Sequence, residues 1–244
     1  MKNKVSIIIP SFNEANFILA LIEQINDIDL RDVNFEKEII VIDDGSTDNT
    51  REILEAQDDV MYFYQINSGK GSAVQNGIKR ASGDYILVQD ADLEYSPQDY
   101  LPMLKIITDL DFSSNVAVYG SRTLVERNLM KFIRPIPLKN QSLSSWLMNL
   151  VLTVLVLIFY QRFITDTLTG YKIYPKSFFL NNKIETKGFE TDHEITAKLI
   201  RKQYKIIEIP IRYTPRTKEE GKKINIWDGF KAIHTIIRYR FTNV

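Results

Sequence analysis

The chain has 244 residues, enough for one large α/β domain with a substantial core and too few for two ordinary domains joined by a long linker. Its 31 basic side chains are matched by 31 acidic ones, which excludes the broad positive field of a nucleic-acid binder and makes any anion site local. Cysteine is absent and the two histidines are His193 and His234, so disulfides and thiolate metal centres are excluded and no zinc site is expected.

The opening run MKNKVSIIIP is short and gives way at once to Ser11, Asn13 and Glu14, unlike a secretory signal, so the chain is expected on the cytoplasmic side. Residues 5–10 read as a first buried strand, and Asn13 as the cap of a helix with Phe17, Ile18, Leu21, Ile22 and Ile25 on one face. A second strand is expected at 38–43, a helix opening at Ser46-Thr47-Asp48, a third strand at 60–66 and a helix at 70–81. The fourth strand, 84–89, is followed by a helix from Ser96-Pro97, proline suiting the first helical turn, and by a fifth strand at 116–119. This alternation gives βαβ units around a mainly parallel sheet.

Beyond Arg122 the pattern changes. Residues 124–139 mix Arg127 and Arg134 with Pro135 and Pro137 and read as a loop. Residues 140–161 carry no charge, but their unbroken apolar run of about eleven residues falls short of the roughly twenty a spanning helix needs. An interfacial or core helix is therefore expected. A helix at 192–202, a strand at 205–211, a basic loop at 212–223 and a last helix from Trp227 complete the chain.

Polar chemistry gathers where strands end, the place where open α/β sheets bind ligands. Asp43-Asp44-Gly45-Ser46 closes the second strand, and Asp90-Ala91-Asp92, with Glu94 beyond it, closes the fourth. Either alone is an ordinary solvated or capping turn. Together, carboxylates at such ends can converge on a hard cation, Mg²⁺ or Mn²⁺, that offsets the charge developing on a departing diphosphate.

The segments IIIPSFNE, VIDDGSTDNT, NSGKGSAVQNG and GDYILVQDADLEYSP, in this order, resemble the GT-A fold of glycosyltransferase family 2. The later TDTLTGYKIY, GFETDHEITAKL and IPIRYTPRTKEEGKKI resemble its dolichyl-phosphate mannose synthase branch and bacterial polyprenyl-phosphate relatives. The resemblance implies a Rossmann-like, mainly parallel central sheet with flanking helices and C-terminal amphipathic helices. It implies one catalytic domain over 1–244, with 1–122 binding nucleotide-sugar and metal and 123–244 serving acceptor and membrane interface. Pro10, Phe12, Glu14, Ile42, Asp44, Lys70, Asp90 and Ala91 would then form the donor site, and Asp90, Asp92 and Glu94 the metal site. Mannose synthases often carry Gln where this chain has Glu94.

Arg122 in Gly120-Ser121-Arg122, with Arg216, Lys222 and Lys223 of the basic loop, would gather phosphates, arginine's planar fork suiting an oxyanion. Arg134, and Arg127 with it, are candidates for acceptor phosphate by position. Asp92, Arg122, Arg216 and Lys222 thus form the expected catalytic set of an inverting transfer from a UDP- or GDP-sugar to a polyprenyl or dolichyl phosphate. Such a phosphate, with a second pKa of about 6, attacks without a base. A saccharide hydroxyl acceptor would need one, for which Glu190 and Asp192 are the candidates. A non-catalytic nucleotide-sugar-binding subunit is the remaining alternative. Asp166 and Thr169-Gly170-Tyr171 are expected to be mainly structural. The uncharged segment and the last helix, with Trp227, Phe230 and Ile237 among Lys231, Arg238 and Arg240, could rest in lipid headgroups or pack on the sheet. Attachment would be peripheral, with a membrane protein as a further candidate partner.

Overall fold

A strand apolar on both faces is stable only when both faces are covered. β1 (Asn3–Ser11) meets that condition: Ile7 and Ile9 enter one core, and Ile8 enters the other. It is flanked in parallel by β2 (Phe35–Asp43) and β4 (Tyr85–Val88), and β3 (Met61–Tyr64) continues the sheet beside β2. β5 (Val116–Ser121), β8 (Lys172–Pro175) and β9 (Lys205–Pro210) complete seven strands in the order β3-β2-β1-β4-β8-β5-β9. The structure, a computed structural model, describes residues 3–112, 115–127, 130–133, 143–216 and 226–242.

The sheet is mainly parallel, as the patterning implies, but β8 runs antiparallel to both β4 and β5. The sequence reading lacks β8 because a four-residue strand carrying a lysine shows no periodicity. Its position between β4 and β5 joins residues on both sides of Arg122 into one sheet. α1 (Ile18–Asn26) and α4 (Tyr100–Asp109) cover one face with Leu21, Ile25, Met103 and Leu104. α3 (Lys70–Arg80), α5 (Leu143–Tyr160), α7 (Thr191–Arg201) and α8 (Ile226–Phe241) cover the other with Val74, Val156, Leu199 and Ile236. α2 (Thr50–Glu55) and α6 (Lys176–Asn181) are single short turns of helix.

Two expectations are corrected. Asn13 does not cap α1, which starts at Ile18; Asn13 takes a left-handed conformation (φ 53°) and accepts a 2.8 Å bond from the Thr47 amide, tying the two strand-end loops together. The segment from 124 is not simply a loop: β6 (Leu124–Arg127) and β7 (Met130–Ile133) pair as an antiparallel hairpin, with Leu124 opposite Ile133. The prolines that suggested a loop lie beyond it, outside the described residues.

α5 is long and apolar enough to cross a membrane, with mean hydropathy 2.0, yet only 28 % of that window is buried. Asn149, Leu152, Thr153 and Val156 face the protein, while Leu150, Val151, Val154, Leu157 and Ile158 face outward. It lies along α8, where Tyr160 Oη donates 2.8 Å to the Ile236 carbonyl, and with most of its surface outward it is not a core helix. The interfacial expectation fits this half-covered state.

Candidate active site

Parallel register sets Ser11 opposite Asp43, so the loops after β1, β2 and β4 emerge at one edge of the sheet. Asp43 is buried there, accepting 2.8 Å from the Ser46 amide and 3.2 Å from Tyr62 Oη. Asp44 accepts from Gln65 Nε2 at 2.7 Å and from the Ser68 and Gly69 amides at 2.8 Å each. In this conformation it shapes the turn that enters α3, and three of its acceptor positions are taken. Ile42 and Ala91 are core side chains, so any contact they make with a donor would come from their backbone. Pro10 and Phe12 are half-buried at the rim, and Glu14 is buried beside them.

Each acid of the β4 loop meets a cation or donor from elsewhere in the chain. Lys70, the first residue of α3, holds Asp90 at 2.5 Å. Burial works against that ammonium, but Asp90, Asp192 and Asp92 outweigh it and raise its pKa above the ordinary lysine value. A Cβ on Gly170 would stand 2.7 Å from Asp90 Oδ2 and 3.3 Å from Lys70 Nζ, so any larger residue where the turn before β8 passes this pair would displace their side-chain ends. Arg216 comes from the far end of the sequence to place Nη2 2.9 Å from Asp92 and Nη1 3.2 Å from Glu14, above the Phe17 ring at 5.4 Å. Glu94 accepts 2.7 Å from the Arg216 amide and 2.8 Å from Tyr213 Oη, and its carbonyl accepts from the Thr214 amide at 2.9 Å. Burial first, then Asp90 and Glu94, push the Asp92 carboxyl up to about 7, with Arg216 opposing them.

These residues have the hard oxygen donors that Mg²⁺ or Mn²⁺ requires. Among the described residues, however, no group of three or more acids or histidines is spaced to hold an ion. The carboxylates are turned onto lysine and arginine instead. Glu94 in particular is committed to Tyr213 and the Arg216 backbone, and works here as a pin for the 213–216 segment. Asp90 and Asp92 fit as the two protein ligands of an ion that completes its shell with a diphosphate, the usual arrangement for Mg²⁺.

Arg122 stands at the same edge, but its fork is occupied. Nε and Nη2 donate to Asp166 at 2.7 and 2.8 Å, its amide adds 2.9 Å, and the guanidinium lies 5.0 Å from the Tyr213 ring centre. Asp166 is fully buried. Arg212 is largely exposed, its amide donating to Asp99 at 2.8 Å. Arg134, Lys222 and Lys223 lie outside the described residues, as does the side chain of Arg127 at the end of β6. Glu190 accepts 3.1 Å from the Gly188 amide two residues back, whereas Asp192 faces the Lys70 region.

Sequence reasoning missed three contributors. Tyr95 stacks on Tyr171 at 5.1 Å and packs against Tyr213 at 5.3 Å, a buried aromatic floor under the acids. Lys172 is fully buried in β8. The signal for it was a charged residue inside the otherwise apolar YKIYP.

An open α/β sheet with acids gathered where β2 and β4 end has its polar site where such sheets bind ligands. The sequence pattern of glycosyl transferase family 2 matches residues 6–172, and the chain belongs to that family and is a glycosyltransferase. It is 26 % identical to the UDP-N-acetylglucosamine–dolichyl-phosphate N-acetylglucosaminyltransferase of Methanococcus voltae, over 98 % of this chain and 96 % of that one. It is 31 % identical to the dolichyl-phosphate beta-glucosyltransferase of Saccharomyces cerevisiae, over 85 % and 66 % respectively. The fold matches that of glucosyl-3-phosphoglycerate synthase from Mycobacterium tuberculosis, solved with Mn²⁺, UDP and glucosyl-3-phosphoglycerate. There the TM-score is 0.69 at 18 % identity, over 97 % of this chain and 80 % of that one.

Proposed function

We propose that this glycosyltransferase moves a sugar, with inversion, from a nucleoside-diphosphate donor onto the phosphate of a polyprenyl or dolichyl lipid at the cytoplasmic face of a membrane. The observation that carries the reading is Arg216. A guanidinium from the far end of the sequence is held against Asp92 and Glu14 at the donor edge, in a chain whose α5 and α8 leave apolar side chains outward beside basic ones. The dolichyl-phosphate transferases among its relatives support the acceptor class.

Asp90 and Asp92 would hold a divalent cation, Mg²⁺ or Mn²⁺, which would supply charge neutralisation to the departing diphosphate. Lys70 and Arg216 exchange their carboxylate partners for phosphate oxygens as the donor binds, which orients the diphosphate. An oxygen of the lipid phosphate attacks the anomeric carbon, and the bond to the diphosphate breaks on the opposite side. The attacking phosphate is already deprotonated near neutrality, so no side chain need remove a proton. Lys222, Lys223 and Arg134 are proposed to meet the acceptor phosphate. Arg122 acts through Tyr213 on the same segment, with its fork kept on Asp166.

The test incubates the protein with membranes containing polyprenyl phosphate, a panel of labelled UDP- and GDP-sugars, and Mg²⁺ or Mn²⁺. Label should enter the organic phase as an acid-labile glycosyl phosphate. Label that stays in acid-stable, water-soluble saccharide would refute the lipid acceptor and favour a hydroxyl one.

A further inference from the structure

Behind the acids of β4 lies an ion pair that the transfer just described does not use. Lys172, the first residue of β8, is wholly buried between Val88 of β4 and Tyr119 of β5. An ammonium has three protons to donate. Among the described residues Nζ reaches the Thr167 carbonyl at 3.4 Å and Asp192 Oδ1 at 3.7 Å, with the Tyr119 ring centre at 4.9 Å. These are long contacts for a charge removed from water, and burial lowers the Lys172 pKa. A buried charge so loosely paired is weak evidence for a stabilising role, since an apolar side chain of similar volume often serves stability as well.

Its partner explains it better. Asp192, in the first turn of α7, also accepts from Tyr174 Oη at 3.5 Å, and 21 % of its side chain stays open. The start of α7 is pressed against the start of α3, because Thr191 leaves no room for a Cβ on Gly71. The next residue of the chain before it, Lys70, is the one that holds Asp90. Burial alone would raise the Asp192 pKa, yet Lys172 and then Lys70 keep it below the ordinary aspartate value. Asp192 is therefore a partly open carboxylate beside Lys70, the residue that holds Asp90 and that Gly170 packs against. A further negative charge beside Asp90 and Asp92 opposes a diphosphate. It suits a neutral ligand rich in hydroxyl donors, such as the sugar the diphosphate carries.

We propose that Lys172 is a positioning residue that holds the Asp192 carboxylate toward the hydroxyls of the transferred sugar, so that this pair sets which nucleotide-sugar is accepted. The inference rests on the donor reading above. It is tested by titration calorimetry of the full chain with Mn²⁺, comparing UDP and GDP with UDP-glucose, UDP-N-acetylglucosamine and GDP-mannose, in wild type, Lys172→Met and Asp192→Asn. KM for the best donor is measured beside kcat, and Tm controls for folding.

Both variants should lose at least about tenfold in affinity for the preferred nucleotide-sugar, with KM raised by as much, the worth of one charge-assisted hydrogen bond. Affinity for the bare nucleoside diphosphate should stay within about twofold, and discrimination among sugars should collapse. Unchanged discrimination in both variants, or equal losses for bare and sugar-bearing nucleotides, would overturn it. If Lys172→Met does not fold, Asp192→Asn at its partly open position decides alone. A wild type that binds no nucleotide at all refutes the donor reading first, and this inference with it.

Discussion

Replacing Arg122 with Met tests whether this arginine is a free phosphate ligand or a structural fork. Two side-chain bonds, at 2.7 and 2.8 Å, run from its guanidinium to an Asp166 carboxylate that is fully buried. Removing the cation leaves that carboxylate with the Arg122 amide at 2.9 Å and no countercharge from position 122. Breaking one partner of a buried pair costs about 3–5 kcal/mol. For a chain of this size each kcal/mol moves Tm by roughly 2–4 °C, so a fall of about 10 °C is expected. The double variant Arg122→Met with Asp166→Asn removes both charges. In a urea-denaturation cycle it should recover about 2 kcal/mol relative to the sum of the single changes. A phosphate ligand facing solvent behaves otherwise, losing activity with Tm unchanged. Should Arg122→Met keep its Tm within about 2 °C while transfer is abolished, the fork reading is wrong and the expectation drawn from Gly120-Ser121-Arg122 stands.

At the other end of the sheet, Glu38 is half-shielded and burial opposes its charge, but bonds from Ser6, Ser82 and Lys4 outweigh this and lower its pKa from 4.5 to about 2. A folded pKa below the unfolded one contributes stability that is complete above about 4.5 and fades as pH falls toward 2, so Glu38→Gln should cost about 3 kcal/mol at pH 7 and much less at pH 3. Urea titrations giving an equal cost at both pH values would refute it. Gly71→Ala should lower Tm by about 3–10 °C, through overpacking of α3 against Thr191 and the Gly188 carbonyl, the latter 2.8 Å from the added carbon. Ile158→Ser with Trp227→Ser should reduce flotation with anionic liposomes about a hundredfold, since each exposed side chain stands to bury about 1.5–3 kcal/mol of apolar surface. An unchanged partition would remove α5 and α8 from the membrane account.

Much of the fold was legible because β1, β2 and β4 carry runs apolar on both faces, and β2 and β4 end in paired acids, so periodicity and motif agree there. β8 escaped notice because pairing with β4 and β5, and not its own composition, makes it a strand. The same limit applies to the site. Asp90, Asp92, Glu14 and Arg216 were all nameable from local motifs, and the structure brings them together. That Asp44 would spend its oxygens on Gln65, Ser68 and Gly69, or Glu94 on Tyr213, depends on loop geometry that no spacing encodes. The 124–133 segment failed for a different reason: its charges and the prolines that follow masked the alternation of a short hairpin.

The pairing of charges has a consequence for how a donor could enter. Asp90 has Lys70, Asp92 and Glu14 share Arg216, Asp166 has Arg122, and Asp192 has Lys172. Each cation comes from a different element from its acid, and the chain as a whole is neutral. A nucleotide-sugar diphosphate together with a divalent ion likewise brings no net charge. On the proposed reading, binding is then an exchange of partners: Arg216 and Lys70 leave carboxylates that would hold a divalent ion, and the freed guanidinium and ammonium groups pass to phosphate. Such an exchange avoids leaving any buried charge alone at either end, which a site lined by acids without countercharges could not do. The pairs that do not exchange are Arg122–Asp166, with a fully buried acid, and Lys172–Asp192, with a fully buried cation, and they keep Tyr213 and the mouth beside Lys70 in place while the others trade partners.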